Sequence, residues 1–460
     1  MSLVSIDPTT NKTIRSYPED SVAELTRKLD AAAAAFTDWR RLSFAVRAKH
    51  ILSLGRVLTE RQQELAVLMA QEMGKPIAQG HAEVEKCAWA CRHFAEHAEA
   101  YLADEQVPTD AARSLVCYQP LGVILAVMPW NFPLWQVFRC AVPALMAGNV
   151  IVLKHASNVT GCAFGIEFAI QAAALPEGVF QTLLVSSSQL ARVLDHPALR
   201  GVALTGSTEA GRALARESGQ RLLKTVLELG GSDPYVILED ADLDHAARTC
   251  AASRLINSGQ SCIAAKRFIV MESVLARFEH LFVEQMRNQH LGDPLDGETT
   301  VGPLARTDLR DILHRQVTDT IAAGARCLLG SELPAGAGAF YPPTILTTVT
   351  PGMSAFDEET FGPVAAIVPA RDETDAIRLA NTSAFGLGAA VFTRDLERGE
   401  RVARQLEAGC CHVNDFVRSD PRVPFGGIKH SGYGRELGLL GIREFVNAKT
   451  LVIVSLAPTP

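Results

Sequence analysis

The sequence has no basic run, and its formal net charge is −7 over 460 residues. That balance argues against nucleic acid or an anionic membrane as a main partner. Small anionic substrates stay open, because one local arginine outweighs a distant, mild surplus of carboxylates. The start, "MSLVSIDPTTNKTIRSYPED", has no basic opening followed by an apolar core, so no secretory leader is expected. Ten cysteines are scattered without a repeating spacing, which excludes a disulfide framework and predicts a reducing cytoplasm. A membrane span is also missing. Ser114 to Phe138 carries no formal charge and suffices on length alone. Pro120, Pro129, Asn131 and Pro133 interrupt it, however, and Arg139 follows. Two short buried strands around a turn are expected there instead. No internal repeat or low-complexity linker is visible.

What is present is the composition of a soluble globular protein, 48% hydrophobic and 21% charged. The length predicts two domains or three. The first hundred residues read as helical, beginning with a Ser-x-x-Glu capping box at Ser21 and Glu24. The texture then changes. "LGVILAVMP", "NVIVLKH", "FQTLLVS", "GVALTGS" and "TVLELGG" are short apolar runs, most of them separated by helix-like stretches. This pattern predicts an α/β fold with a doubly wound, mostly parallel sheet. A second alternating block runs from "PYVILED" to "AAVFTRD", which places a boundary near Gly230–Gly231. The late "REFVNAKTLVIVSL" reads as an exposed strand able to pair with another subunit or another part of the chain.

Four stretches carry candidate chemistry. "LTGSTEAGRALA" sets Gly206 and Gly211 between a strand and a helix, where backbone N–H groups can face a phosphate. It is not the Gly-x-Gly-x-x-Gly fingerprint, and an ordinary turn reads the same way. "VLELGG" holds Glu228, either a solvent-facing acid or, if buried, a carboxyl shifted toward neutrality and able to take a proton. "MPWNFPLWQVFR" holds Asn131 between two prolines, as an oxyanion donor or a turn residue. Cys262 ends "NSGQSC", where backbone N–H groups can support a thiolate or an oxyanion. Cys87, Cys91, Cys140, Cys162 and Cys250 instead sit in apolar helical patterns and read as core thiols.

"PWNFP", "GSTEAG", "ELGG", "GQSC", "EETFGP" and "PFGGIKHSGYGRELG" follow one another in the order and approximate spacing of the NAD(P)-dependent aldehyde dehydrogenase superfamily, which the chain resembles along essentially its whole length. The resemblance implies that Cys262 attacks the aldehyde carbonyl to form a thiohemiacetal, with the oxyanion held by the Asn131 amide and the Cys262 N–H. Loss of hydride to the nicotinamide then leaves a thioester, which water activated by Glu228 hydrolyses. It also implies cofactor contacts by Trp130, Lys154, Ser157, Gly206, Ser207, Gly211, Leu229, Glu359 and Phe361. The implied domains are a cofactor domain over 1–112 and 128–230, a catalytic domain over 231–411, and a small β oligomerisation arm over 113–127 and 443–460. Residues 412–442 would return to the cofactor domain and carry a substrate loop. A homodimer or homotetramer is expected.

The chain departs from the family's common Lys-Pro-x-Glu. It has "KHAS", with His155 for the proline and Ser157 for the acid. A glutamate there repels a 2′-phosphate; serine does not, so NADP is expected to be accepted alongside NAD. His155 is expected either to touch that phosphate or to lie solvated in a loop. Within the superfamily the chain is most similar to bacterial succinate-semialdehyde dehydrogenases, so a carboxylate-bearing aldehyde is the expected substrate. Arg139, with Gln136 and Ser419, matches the residues such enzymes direct at the substrate, and Arg418 is either an assistant or a surface residue. Ile256 stands where a second arginine is often found, and Ala264 leaves no neighbouring thiol to cap Cys262. The alternative within the superfamily is an enzyme for another aliphatic aldehyde.

A rival from another class is the zinc-peptidase-like "HFAEH", His93 to His97, preceded by Cys87 and Cys91. At ~100° per residue the two cysteines and two histidines fall on different sides of a helix, so the four cannot share one tetrahedral ion and no metal is expected.

Overall fold

The computed structural model describes residues 2–455. Its centre is a six-stranded sheet in the order Gly432–Tyr433, Lys224–Glu228, Leu199–Thr205, Val123–Met128, Val150–His155, Phe180–Thr182. All neighbours are parallel except Gly432–Tyr433, which runs antiparallel to Lys224–Glu228. The run Val123–Met128 is apolar throughout because helices cover both faces of a parallel sheet. A second, seven-stranded sheet holds Pro234–Ile237, Arg267–Met271, Val364–Ala370, Thr344–Thr347, Gly388–Phe392 and Cys410–Val413 in parallel, with Arg326–Leu329 antiparallel at one edge.

The helices Val22–Trp39, Phe44–Glu60, Gln62–Met73 and Ile77–Tyr101 account for most of the first hundred residues. The helical reading fails before them, because Ser2–Ile6 and Thr13–Pro18 form an antiparallel hairpin. Ser21 caps the first helix by accepting from the Glu24 N–H at 3.1 Å, whereas the Glu24 carboxylate turns to Arg27 rather than back to the cap. Ile77–Tyr101 packs on Phe44–Glu60, Gln62–Met73 and the fully buried helix Trp135–Ala147. That packing matters for function, since the last helix begins just after Asn131.

A three-stranded layer pairs Val446–Ile453 with Arg113–Pro120 and Glu105–Gln106. The expected arm over 113–127 is therefore too long. Only Leu121 and Gly122 separate its strand from Val123–Met128, which belongs to the central sheet. The strand Cys410–Val413 likewise crosses the boundary drawn at 411. The last five residues of the 443–460 arm lie outside the described residues. No helix among the described residues is long and apolar enough to cross a membrane.

Candidate active site

Cys262 is held by an unusual turn. Asn257 and Ser258 both take positive φ, 54° and 56°, and Gly259 follows at 77°. A Cβ on Gly259 would overlap the Gly362 backbone, so only glycine fits there. Two buried cations fasten the turn from behind. Arg254 Nη2 donates to Gly259 O at 2.6 Å. Lys266 Nζ donates to the carbonyls of Ser261 (2.9 Å), Cys262 (2.7 Å) and Ala264 (3.1 Å). With its carbonyls turned inward, the segment leaves the Cys262 side chain on a cavity of about 260 Å³. Unlike the five core thiols, all buried, Cys262 is partly open. Burial still pushes its thiol up to about 12, against the lowering influence of Arg139 and Lys266.

Asn131 lines the same cavity and is tied to the same turn. Its Nδ2 donates to Gln260 O at 3.1 Å, and Asn257 Nδ2 donates back to Asn131 O at 2.6 Å. An amide nitrogen carries two hydrogens, so one remains for a ligand.

Glu228 ends the strand Lys224–Glu228 with 2% of its surface exposed, and neither carboxylate oxygen has a hydrogen-bond partner. Burial raises its pKa well above the carboxylate range, opposed by Arg139 and reinforced by Glu436. It is the buried acid of the two readings, not the solvent-facing one.

Around Cys262 the cavity is walled by Trp130, Gly206, Ser207, Leu229, Glu359 and Phe361. Trp130 and Phe361 meet edge to face with centroids 5.7 Å apart. Ser207 caps the helix Thr208–Gln220 by accepting from Ala210 N, so the N-terminus of that helix opens beside the cavity, suited to an anion. Gly211 sits behind it, where a Cβ would collide with Leu229. Glu359 Oε1 accepts from Gly231 N at 3.0 Å and lies 3.7 Å from Lys266 Nζ, which couples this acid to the Cys262 turn.

Lys154 is the penultimate residue of the strand Val150–His155, and burial lowers its pKa. Ser157 is exposed and lines a separate cavity of about 650 Å³ together with Arg306. His155 fits neither expectation. It is buried, with Nε2 on Pro133 O at 2.8 Å and Nδ1 accepting from Ala156 N at 2.9 Å. Desolvation lowers its pKa to about 4, so it is a neutral wedge behind the Pro129–Pro133 loop.

The substrate residues are rearranged most. Arg139 is 2% exposed and lines neither the Cys262 cavity nor a neighbouring one of about 430 Å³ beside Phe132. Its guanidinium pairs with Glu436, donates to Thr205 Oγ1 at 3.2 Å and stacks over Phe425. Its charge also acts on Glu228 and Cys262, so it sits behind these two side chains rather than in the cavity ahead of them. Gln136 is buried with an unpartnered Oε1 and lines neither of those cavities. Arg418 lies at the surface, paired with Asp415. Ser419 is buried and accepts from Lys86 Nζ (2.9 Å) and Trp135 Nε1 (3.0 Å).

Lys266, Glu436 and Lys86 were missed by sequence reasoning. The first two stand inside stretches that carry the resemblance, "GQSCIAAKRF" and "GYGRELG". Lys86 has no such flag. As for the zinc-like pattern, the His93 and His97 rings stack at 4.4 Å, while His93 bonds Tyr101 and His97 bonds its own helix.

The description "Aldehyde dehydrogenase family" matches residues 2–451. The chain belongs to the aldehyde dehydrogenase family. It is 49% identical to a Synechocystis sp. protein named probable succinate-semialdehyde dehydrogenase (NADP+), over 98% of this chain and all of the relative. It is 46% identical to the succinate semialdehyde dehydrogenase (NAD(P)+) Sad of Escherichia coli, over 97% of each. The solved succinic semialdehyde dehydrogenase of Streptococcus pyogenes, in complex with NADP+, superposes with a TM-score of 0.96 at 35% identity, covering 98% of this chain and all of that one.

Proposed function

We propose that this aldehyde dehydrogenase oxidises succinate semialdehyde to succinate with NADP, and accepts NAD. The observation that carries the reading is a partly open thiol, Cys262, facing an amide donor, Asn131, in one cavity. The relatives' names supply the substrate.

The chain's own residues support a two-stage chemistry. Cys262 Sγ adds to the aldehyde carbon, and the oxygen that becomes negative is met by the free Asn131 N–H and the Cys262 backbone N–H. Burial raises the Glu228 pKa, so its carboxylate takes up a proton more readily than an ordinary one, the property needed to draw a proton from the thiol or from a hydrolytic water. From behind, Arg139 opposes that tendency and Glu436 reinforces it.

The residues present fit a dinucleotide. Gly206, Ser207 and the helix N-terminus suit its pyrophosphate, Glu359 a ribose hydroxyl, and Lys154 with Ser157 the adenosine ribose. Ser157 puts no carboxylate against a 2′-phosphate. When bound, the nicotinamide supplies the hydride acceptor. On this assignment the six-stranded sheet holds the cofactor and the seven-stranded sheet carries the nucleophile. The exposed apolar Leu451, Val452 and Ile453 support pairing of the edge strand between copies, as a dimer or tetramer. Ten free cysteines fit a cytoplasmic home.

The test is steady-state kinetics with succinate semialdehyde and either NADP or NAD, on wild type and Cys262→Ala. Wild type is expected to turn over with both cofactors and favour NADP. The variant is expected to lose at least ~10³-fold in kcat while keeping the wild-type affinity for NADP. Near-wild-type turnover by Cys262→Ala overturns the reading.

A further inference from the structure

Resting on that functional reading, we infer that Lys86, on the wall of the cavity beside Phe132, is the residue that grips the far carboxylate of the substrate, with Ser419 as its hydrogen-bonded neighbour.

The argument begins with charge. A carboxylated aldehyde needs a cation in its tunnel, and neither arginine position suggested by the resemblance supplies one. Arg139 is buried and engaged by Glu436. Ile256 occupies the other position and lines the tunnel wall as an apolar side chain. The cavity in question measures about 430 Å³ and is walled largely by Phe132, Trp135, Leu255, Ile256 and Phe416. It meets the reacting site across one loop, since Pro129, Trp130 and Asn131 line the Cys262 cavity and Phe132 lines this one. Ile256 also heads the segment that ends at Cys262.

Lys86 is the one lysine on that wall, and no carboxylate among the described residues makes an ion pair with it. Its acidic neighbours are taken. Glu83 Oε2 accepts from Lys75, and Glu83 Oε1 from the Leu134 and Trp135 N–H groups. Asp420 is engaged by Arg422. The Lys86 ammonium lies over the Trp135 ring at 4.5 Å and donates to Ser419 Oγ. A cation in an apolar cavity without a counter-ion is unfavourable, and an entering carboxylate relieves that cost while gaining a charge-assisted hydrogen bond.

Ser419 completes the cradle. A hydroxyl has two acceptor lone pairs and one hydrogen. Lys86 and Trp135 occupy both lone pairs, so the Ser419 hydrogen is left to donate to a carboxylate oxygen. Burial lowers the Lys86 pKa to about 8, with Arg139 acting in the same direction, so the ammonium is charged at neutral pH.

The experiment compares succinate semialdehyde with butanal, which has the same carbon count and no carboxylate, on wild type, Lys86→Met and Lys86→Arg holding NADP. Wild type is expected to favour succinate semialdehyde in kcat/KM. Lys86→Met should lose about 100-fold on it, chiefly through KM, and less than about 3-fold on butanal, with Lys86→Arg within about 10-fold of wild type. If Lys86→Met does not fold, Lys86→Gln, able to keep a bond to Ser419, is read the same way. Equal losses on both aldehydes, or none, overturn the Lys86 assignment and leave the substrate reading standing. A wild type that favours butanal overturns both.

Discussion

Lys266 Nζ lies 2.7 Å from the carbonyl oxygen of Cys262, so the backbone of the proposed nucleophile is anchored by a buried cation. That ammonium reaches three carbonyls of one turn, those of Ser261, Cys262 and Ala264, and approaches Glu359. Lys266→Met leaves those carbonyls buried without donors. The expected loss is about 3 kcal/mol of stability, because breaking a buried charged network exposes the whole desolvation penalty of what remains. Urea unfolding followed by circular dichroism measures it. Turnover should fall further than stability explains, since the thiol loses its aim. A variant with wild-type kcat would remove Lys266 from the site.

The pH dependence should differ between two kinds of aldehyde. For a neutral aldehyde, kcat/KM is expected to rise with pH, because burial raises both the Cys262 thiol and the Glu228 carboxyl and each acts in its deprotonated form. For succinate semialdehyde a falling limb near pH 8 should appear as well. There Lys86, influenced by Arg139, Cys87, Glu83 and Asp420, loses its proton and with it the attraction for a carboxylate. Glu228→Gln should flatten the Glu228 part of the rising limb and leave the falling one. Profiles of identical shape for both aldehydes would contradict this assignment.

Arg139 offers a contrast with Lys86. Its removal by Arg139→Ala strands Glu436 and removes the charge that opposes protonation of Glu228. Both aldehydes should therefore suffer alike, by about 10- to 100-fold in kcat, and stability should drop by about 3 to 5 kcal/mol. Paired kinetics and thermal unfolding check this. A loss confined to succinate semialdehyde would return Arg139 to the substrate's far end.

The chemistry was more legible in the sequence than the recognition. Cys262, Asn131 and Glu228 each sit in a short motif that local reading leaves with two readings, and the ordered set of motifs singles them out; the structure brings Cys262 and Asn131 to one cavity and buries Glu228. The partner of Arg139 could not be read locally, because Glu436 comes nearly three hundred positions later and meets it only after the sheet is built. Lys86 is harder still. A lysine in a helical pattern reads as solvent-facing, and only the packing of Ile77–Tyr101 against Trp135–Ala147 turns it inward. His155 was misjudged for the converse reason, since its two ring nitrogens are satisfied by carbonyl and amide groups that no spacing reveals. The strand Val123–Met128 was drawn into the arm although Pro120 and Gly122 mark a turn before it, because a turn alone does not tell which sheet the next strand joins.

The antiparallel pairing of Gly432 with Glu228 has a consequence for biosynthesis. Ser419, Gly432 and Glu436 all follow Cys262 in the chain, so a polypeptide emerging from the ribosome presents the Cys262 sulfur well before the residues that pair with Lys86, Glu228 and Arg139. Vectorial synthesis thus delivers Cys262 early, and the surroundings of Glu228 are complete only when the final segment folds back onto the sheet.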